Sequence, residues 1–257
     1  MRRYGIIGSG VAGLSAAEVI RVQDPGAEIW NILDDPYGFY SRPGLAHLLA
    51  GEVPEPFLFP LSDDDFHGLK IRRWQARAVR IEPLDQHVVL EEGSTIPYDR
   101  LLIATGAVAM LPMVPGIDLN GVVKLDHLED VHAFLNIAHW TRTAVVVGGG
   151  ITALELIEGL LARRVHTRYL LSGNRYWSNV LDETESRIIE RRLRDHGVEL
   201  HFQTELAEIC GEKGRVTGIR TKSGQEISCE MVGIAIGVQV WGNILSHFWA
   251  ARRPKMA

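Results

Sequence analysis

The sequence contains little cysteine, and the cysteine that it has forms no recognisable pair. Cys210 and Cys229 are the two cysteines among 257 residues, and they stand in no CxxC or metal-ligand spacing. We therefore expect both to be small buried side chains rather than a redox pair, as suits the reducing cytoplasm. None of the ten histidines is paired at a metal-ligand spacing, so the sequence predicts no metal site.

Two further absences narrow the class of protein. Lysine and arginine (27) are balanced by aspartate and glutamate (32), and the resulting net charge of -5 does not favour a nucleic-acid partner. The longest apolar stretch, residues 144–162, is broken by three consecutive glycines and by Glu155 and Glu158, so no membrane-spanning segment is expected. With 46% hydrophobic and 23% charged residues, the composition is that of an ordinary globular protein of one or two domains.

Glycine, by contrast, is abundant and patterned, and a GxGxxG-type fingerprint occurs twice. The first copy consists of Gly8, Gly10 and Gly13, between the apolar strand Tyr4–Ile7 and the helical run Leu14–Val22. In such a turn the first glycine permits the tight bend, the second lets the backbone approach a pyrophosphate, and the third lets the helix pack closely on the strand. The helix N-terminus then offers free N–H groups and a positive dipole end to the phosphates.

An acidic pair follows the next predicted strand, Glu28–Leu33. Asp34 lies 21 positions after Gly13, and Asp35 follows it directly. A carboxylate at this distance accepts hydrogen bonds from the ribose hydroxyls of a dinucleotide. Strand, turn, helix and acid together predict a first dinucleotide site, and the alternative is an ordinary glycine turn of an α/β domain.

The second copy consists of Gly148, Gly150 and Ala153, in which alanine is an allowed third residue. It lies between the strand Thr143–Val147 and the helical run Leu154–Arg164, so the context of a dinucleotide site is again complete. Two such sites in one chain usually mean one bound flavin and one exchangeable nicotinamide.

The acid is missing from this second site, because the corresponding strand ends at Ser172. Arg168 and Arg175 lie nearby, and an arginine at this place accommodates the 2'-phosphate of NADP. This mildly favours NADPH and leaves NADH open. The alternative is that both arginines are solvated surface residues.

The remaining patterns predict two successive domains. Turn signals separate four short strands that resemble an antiparallel meander, Ile71–Trp74, Ala78–Ile81, His87–Glu91 and Leu101–Ala104. A proline- and glycine-containing linker follows at residues 112–121, and the second half then repeats the plan with a helix at Glu183–His196. We therefore predict an α/β protein with two Rossmann-like dinucleotide-binding domains, residues 1–112 and 113–238, and an atypical tail, residues 239–257.

Four motifs resemble those of a known family. They are Tyr40–Leu45 (a Y-x-R-P-x-L segment), Tyr98–Gly106 (YD-x-LLIATG), Gly148–Glu155, and the returning strand Ile234–Val238. On these residues the chain resembles the FAD-dependent pyridine nucleotide-disulfide oxidoreductase superfamily. Within it, the chain looks most similar to the NAD(P)H reductases of the rubredoxin, ferredoxin and nitrite-reductase type.

The resemblance implies a set of site residues. An FAD-binding domain would occupy residues 1–112 and an NAD(P)H-binding domain residues 113–238, with Glu155 as the catalytic residue near the nicotinamide and the flavin. The implied FAD-binding residues are Gly8, Gly10, Gly13, Asp34, Asp35, Arg42, Pro43, Ala76, Thr105 and Gly106. The implied NAD(P)H-binding residues are Gly148, Gly150, Ala153, Arg168, Arg175 and Gly237.

The chain departs from the family pattern in two ways. No cysteine stands near Ser41, where the disulfide and peroxide reductases of this superfamily carry a thiolate nucleophile, so those activities are not expected. After Val238 the sequence matches nothing in the family, so a C-terminal FAD segment and an interface domain are expected to be missing. The tail Trp241–Lys255 mixes tryptophan, phenylalanine and arginine like an interfacial segment, with a poorly ordered terminus as the alternative.

The resemblance implies an FAD-dependent NAD(P)H oxidoreductase. It would pass hydride from NAD(P)H to flavin, and electrons on to a ferredoxin- or rubredoxin-type protein or a small acceptor. The alternative is a truncated, inactive nucleotide-binding fragment without stable FAD.

Overall fold

The structure, a computed structural model, describes residues 1–240, so the predicted tail from Trp241 onward lies outside the described residues. Its elements up to Val123 are β1 (Arg3–Ile7), α1 (Val11–Gln23), β2 (Glu28–Leu33), α2 (Gly44–Ala50), α3 (Asp63–Leu69), β3 (Ile71–Gln75), β4 (Ala78–Glu82), β5 (His87–Leu90), β6 (Thr95–Pro97), β7 (Arg100–Ile103), β8 (Ala107–Ala109) and β9 (Val122–Val123). They continue as α4 (Leu128–Ala138), β10 (Thr143–Gly148), α5 (Ile151–Leu161), β11 (His166–Leu170), α6 (Glu183–Asp195), β12 (Glu199–His201), β13 (Leu206–Glu212), β14 (Arg215–Thr221), β15 (Glu226–Ser228), β16 (Met231–Ala235) and β17 (Val238–Val240).

The chain divides into two compact units. The first comprises Met1–Ser41 and Phe59–Val108, with the described residues from Gln239 onward, and the second comprises Arg42–Leu58 and Ala109–Val238. Each unit is built on one parallel sheet, and the α/β fold class predicted from the sequence is confirmed.

The first unit is built on a four-stranded sheet in the order β3-β2-β1-β7, in which all pairs are parallel. One face packs against α1 through Ile6, Ala17 and Ile29. The other face packs against the small antiparallel sheet β4-β5-β6. β1 lies between β2 and β7 in the sheet, and the chain continues from β1 to β2 on one side and reaches β7 on the other. The C-terminal end of β1 is therefore a switch point of the strand order, and ligands bind at such points in open α/β sheets.

The predicted meander is confirmed only in its middle part. β4 and β5 are antiparallel, but Ile71–Trp74 and Leu101–Ala104 are not part of that sheet. They form β3 and β7, which pair in parallel with β2 and β1. Parallel pairing needs a long crossover, and the segment with α2 and α3, which the sequence patterns did not reveal, supplies it between β2 and β3.

The second unit is built on a five-stranded parallel sheet in the order β12-β11-β10-β16-β9. One face of this sheet packs on the antiparallel sheet β13-β14-β15 through an aliphatic core that includes Val145, Val232 and Ile219. The predicted helix Glu183–His196 is confirmed as α6, which begins with a capping box between Asp182 and Glu185.

Both fingerprint helices begin earlier than the sequence predicts. α1 starts at Val11 and α5 at Ile151, because Gly10 and Gly150 act as the N-caps in extended conformation. The predicted starts at Leu14 and Leu154 were wrong, since the first helical turn runs through the fingerprint itself. The helix N-terminus therefore lies directly at the second glycine of each turn.

The segment Arg42–Leu58 packs within the second unit although it follows β2 in sequence. A Cβ atom at Gly159 of α5 would lie 2.6 Å from Cγ of Leu49 in α2, so the two helices approach closely. Nη1 of the Arg163 guanidinium also donates to the carbonyl of Leu49 at 2.5 Å.

Among residues 1–240, no helix is both long and apolar enough to cross a bilayer.

The linker glycine Gly116 yields a test of the packing of the linker against β13. Its φ is +83°, and a Cβ there would lie 2.0 Å from the carbonyl oxygen of Ile209. Gly214 has a similar φ of +78° but open space around a Cβ, so it is a matched control. We expect Gly214→Ala to lower the Tm by a few degrees, about 1 kcal/mol for a left-handed alanine, and Gly116→Ala to lower it on the order of 10 °C. Thermal unfolding followed by circular dichroism measures both. Equal Tm values for the two variants would contradict this packing.

Candidate functional site

The first glycine turn has the geometry of a phosphate-binding loop. Gly8 has φ +111°, and a Cβ there would lie 2.2 Å from the carbonyl oxygen of Ala104. A Cβ at Gly13 would lie 2.3 Å from the carbonyl oxygen of Gly8. A Cβ at Gly10 would meet nothing within 4 Å, so this glycine faces open space. The first and third glycines are thus required by the fold, whereas the second leaves room for a ligand.

The N-terminus of α1 is left without a side-chain cap, since the N-cap residue is Gly10. Its first backbone N–H groups therefore point out of the turn with no side-chain partner at the cap. Open space at Gly10 and this uncapped helix end fit the pyrophosphate of a dinucleotide such as FAD.

The predicted residues Thr105 and Gly106 lie at the same sheet edge as this turn. Ala104, which follows β7, donates its N–H to the carbonyl of Ile7 at 2.8 Å. Thr105 and Gly106 come next, and Gly106 turns the chain with φ +69°. Since β1 and β7 are parallel, their C-terminal ends bring these residues beside the glycine turn.

The structure distinguishes the two candidate acids. Asp35 accepts hydrogen bonds from the backbone N–H of Tyr37 at 2.9 Å and from the hydroxyl of Tyr40 at 3.1 Å, so its carboxylate shapes its own loop. Asp34, directly after β2, is exposed. Of the two acids, Asp34 is therefore the carboxylate that is exposed at this edge. Ala76 lies beside it, because its N–H donates to the carbonyl of Leu33 at 2.9 Å.

Sequence reasoning missed one residue of this turn, Asn31. Its side-chain Nδ2 donates to the carbonyl of Gly8 at 2.9 Å and thereby braces the first glycine. The signal was an amide side chain within the otherwise apolar end of β2. A polar side chain at this place needs a hydrogen-bond partner, and the carbonyl of Gly8 supplies it.

The second glycine turn repeats this geometry in the second unit. Gly148 has φ +153°, and a Cβ there would lie 2.1 Å from the carbonyl oxygen of Ala235 in β16. Gly150 caps α5 without a side-chain hydrogen bond, and Ala153 is fully buried beneath the turn. Gly237, with φ +129°, follows β16 at the same edge. These four predicted residues are thus brought together.

The two predicted arginines are placed differently. Arg168 lies inside the sheet opposite Val145, where its Nε donates to Glu199 at 2.9 Å and its Nη1 to the carbonyl of Ser228 at 3.3 Å. Arg175 lies in the loop after β11, at the sheet edge, but its Nη2 donates to carbonyls of that loop, those of Ser178 and Leu181. Both guanidinium groups therefore already have protein partners, but the buried Nε of Arg175 has none among the described residues.

Glu155 lies in the second turn of α5 and is half-buried. Burial raises the pKa of its carboxyl group, the like charge of Glu158 adds to this, and the charge of His47 in α2 opposes it. Arg42 and Pro43 belong to the second unit, where Pro43 is the N-cap of α2. Their role toward a flavin stays a prediction.

A model of the pyridine nucleotide-disulphide oxidoreductase family matches residues 2–247. The chain belongs to this family. The family predicted from the four motifs, an oxidoreductase family, is therefore confirmed.

Relatives and solved structures agree with this membership. The chain is 30% identical over 236 residues to the ferredoxin–NAD(+) reductase component of the biphenyl dioxygenase system of Paraburkholderia xenovorans, covering 91% of this chain and 57% of the relative. It is 26% identical over 236 residues to an NAD(P)H nitrite reductase of Bacillus subtilis, covering 91% and 29%. A ferredoxin reductase of Rhodopseudomonas palustris superposes with a TM-score of 0.92 at 25% identity, covering 100% of this chain and 63% of that structure. The chain thus spans less than two thirds of each of these proteins.

The raised pKa of Glu155 predicts a pH-dependent effect on stability. The folded protein holds the Glu155 proton more tightly than the unfolded chain does. The bound proton therefore stabilises the fold fully at pH values below the pKa of the unfolded chain. This stabilisation is lost as the pH rises through the pKa of the folded protein. We expect Glu155→Gln to raise the Tm at pH 7 by about 1–3 °C and to leave it unchanged at pH 4.

Thermal unfolding at the two pH values measures this effect. Glu18→Gln, a change at an exposed glutamate of α1, is the control and should shift the Tm at neither pH. A Glu155→Gln variant whose Tm at pH 7 is no higher than that of the wild type would argue against the burial of this carboxyl group.

Proposed function

We propose that this chain is an FAD-dependent NAD(P)H oxidoreductase. One observation carries the proposal: two parallel sheets each present a glycine turn with an uncapped helix N-terminus at a C-terminal edge, within a chain of the pyridine nucleotide-disulphide oxidoreductase family. The first site is assigned to FAD and the second to NAD(P)H. The relatives whose names specify a ferredoxin–NAD(+) reductase and an NAD(P)H nitrite reductase support this assignment.

The residues of the first unit would bind the flavin dinucleotide in a defined order. The open space at Gly10 and the first N–H groups of α1 would receive the pyrophosphate. The exposed Asp34 would accept hydrogen bonds from the adenosine ribose, beside Ala76. Thr105 and Gly106 would border the cofactor on the side of β7.

The residues of the second unit would bind the nicotinamide dinucleotide through Gly148, Gly150 and the N-terminus of α5. FAD held by the first unit would supply the chemistry of hydride acceptance and one-electron release. Glu155 in α5 would be the proton-exchanging group of this site, because a carboxyl group of raised pKa exchanges a proton more readily near neutral pH than an exposed glutamate does. Because Arg168 is paired with Glu199, it gives no support to NADPH over NADH.

The electron acceptor is proposed to be a ferredoxin- or rubredoxin-type protein, since relatives are named as reductases of these proteins. A cytoplasmic location belongs to the same proposal, supported by two free cysteines within the described part of the chain.

The visible spectrum tests the proposal directly. The purified protein is incubated with excess FAD, desalted, and then mixed anaerobically with NADH or NADPH. Retained flavin absorption that bleaches with either nucleotide is the expected result, and the faster nucleotide identifies the donor. A colourless protein that still binds a nicotinamide nucleotide would instead favour a nucleotide-binding module without FAD.

Gly10 allows a sharper test of the flavin site. Its φ of -72° suits any residue, and a Cβ there meets no protein atom, so Gly10→Ala is expected to cost about 1 kcal/mol of stability or less. The added methyl group would occupy the space assigned to the pyrophosphate, so we expect FAD to bind about tenfold more weakly or worse. Flavin fluorescence titration measures the affinity.

Gly26→Ala is the matched control, because a Cβ at Gly26 also meets nothing within 4 Å and lies in the turn before β2. This variant should bind FAD as the wild type does. Unchanged FAD affinity in Gly10→Ala would contradict the assignment of the first glycine turn.

A further inference from the structure

Trp177 lies beside the second glycine turn, where neither the fingerprint nor the acidic-residue pattern would place a ligand-binding side chain. A Cβ atom at Gly150 would lie 3.9 Å from Nε1 of the Trp177 indole. The half-buried indole N–H, which can only donate, has no hydrogen-bond partner among residues 1–240. A free donor thus stands next to the glycine that a dinucleotide pyrophosphate approaches.

The backbone of Trp177 is held in an uncommon conformation. Its φ of +46° lies in the left-handed region, which bulky side chains rarely adopt. The carbonyl of Trp177 accepts hydrogen bonds from the N–H groups of Val180 and Leu181 at 2.9 and 3.0 Å, so the chain folds back directly after it. Strain of this kind persists only where neighbouring contacts impose it.

Helix α6 supplies those contacts through two buried polar side chains. Glu190, 7% exposed, accepts a hydrogen bond from the N–H of Tyr176 at 2.9 Å. Ser186, fully buried, donates to the carbonyl of Tyr176 at 2.7 Å. Both backbone groups of the residue before Trp177 are therefore fixed to the helix. A buried carboxylate used in this way costs desolvation energy, which its hydrogen bonds must offset.

An aromatic cluster fixes the indole from the other side. The Tyr176 ring packs against Trp177 with ring centres 6.1 Å apart and against Tyr169 at 6.4 Å. Tyr169 and Tyr176 are almost fully buried. The indole therefore packs on a buried aromatic side chain, with its N–H beside Gly150.

We propose that Trp177 is a nucleotide-binding residue whose indole N–H donates to the pyrophosphate of NAD(P)H, and that Glu190 and Ser186 are its positioning residues. The inference rests on the assignment of the second glycine turn to NAD(P)H and adds to it a recognition residue from outside the fingerprint. Arg175, the other strong side-chain donor of this loop, already donates through Nη2 to the carbonyls of Ser178 and Leu181.

Binding of ADP-ribose and of NADH, measured by calorimetry, tests this proposal without any flavin. Trp177→Phe keeps an aromatic ring for packing against Tyr176 and removes the N–H donor together with the second ring of the indole. We expect it to bind both ligands about tenfold more weakly, because the variant loses a hydrogen bond to a charged group. Trp140→Phe, at an exposed tryptophan that stacks on Arg215, is the matched control and should bind as the wild type does.

The positioning residues are tested with a conservative pair. Glu190→Gln keeps an oxygen acceptor for the N–H of Tyr176, whereas Glu190→Ala removes it. We expect Glu190→Ala to weaken ADP-ribose binding severalfold, and Glu190→Gln to restore most of the affinity. Circular dichroism of each variant confirms that it is folded.

The outcomes separate this inference from the proposed function. If the wild type binds neither ADP-ribose nor NADH, the assignment of the second site fails, and the inference fails with it. If the wild type binds both and folded Trp177→Phe binds them equally well, only the role of Trp177 is overturned. Weaker binding by Trp177→Phe together with unchanged binding by Trp140→Phe supports it.

Discussion

The two candidate sites depend on a single constraint, the contact between a glycine Cα and the carbonyl group of a neighbouring parallel strand. Gly8 approaches the carbonyl of Ala104, and Gly148 approaches that of Ala235, so closely that a Cβ would lie 2.2 and 2.1 Å from the oxygen. No other residue fits there without moving a strand. The contact turns the chain sharply off the sheet, so the following helix begins at the second glycine and its N-terminus faces the ligand edge.

The two units use this shared turn but differ in what surrounds it. In the first unit, the exposed carboxylate of Asp34 follows β2, and the Asn31 amide donates a hydrogen bond to the carbonyl of Gly8 in the turn. In the second, the corresponding strand ends without an acid, and an aromatic loop anchored on α6 stands beside the turn. The physical difference is the kind of side chain near each turn, an exposed carboxylate in the first unit and an indole N–H donor in the second.

Local sequence rules predicted the parts of the fold whose conformation is decided within a few residues. Strand, glycine turn and helix were recognisable in both units, although the helices begin three residues earlier than predicted, because the second glycine is itself the cap. The pairing of β3 was predicted wrongly. Its alternation resembles that of its antiparallel neighbours, and its parallel partner β2 lies on the far side of a long helical crossover.

The sequence by itself determined the family, the α/β class and the two glycine turns. A turn with no room for a Cβ atom requires glycine, so its positions can be recognised in the sequence. Only the tertiary structure decided that Asp35 serves its own loop while Asp34 is exposed, and that Arg168 is paired with Glu199 inside a sheet. It also decided that Trp177 stands beside Gly150. The contacts of Arg168 and Trp177 join segments that are distant in sequence, and such contacts leave no short-range pattern. Asp35 bonds within its own loop, but the spacing of two adjacent acids does not distinguish them until that loop has folded.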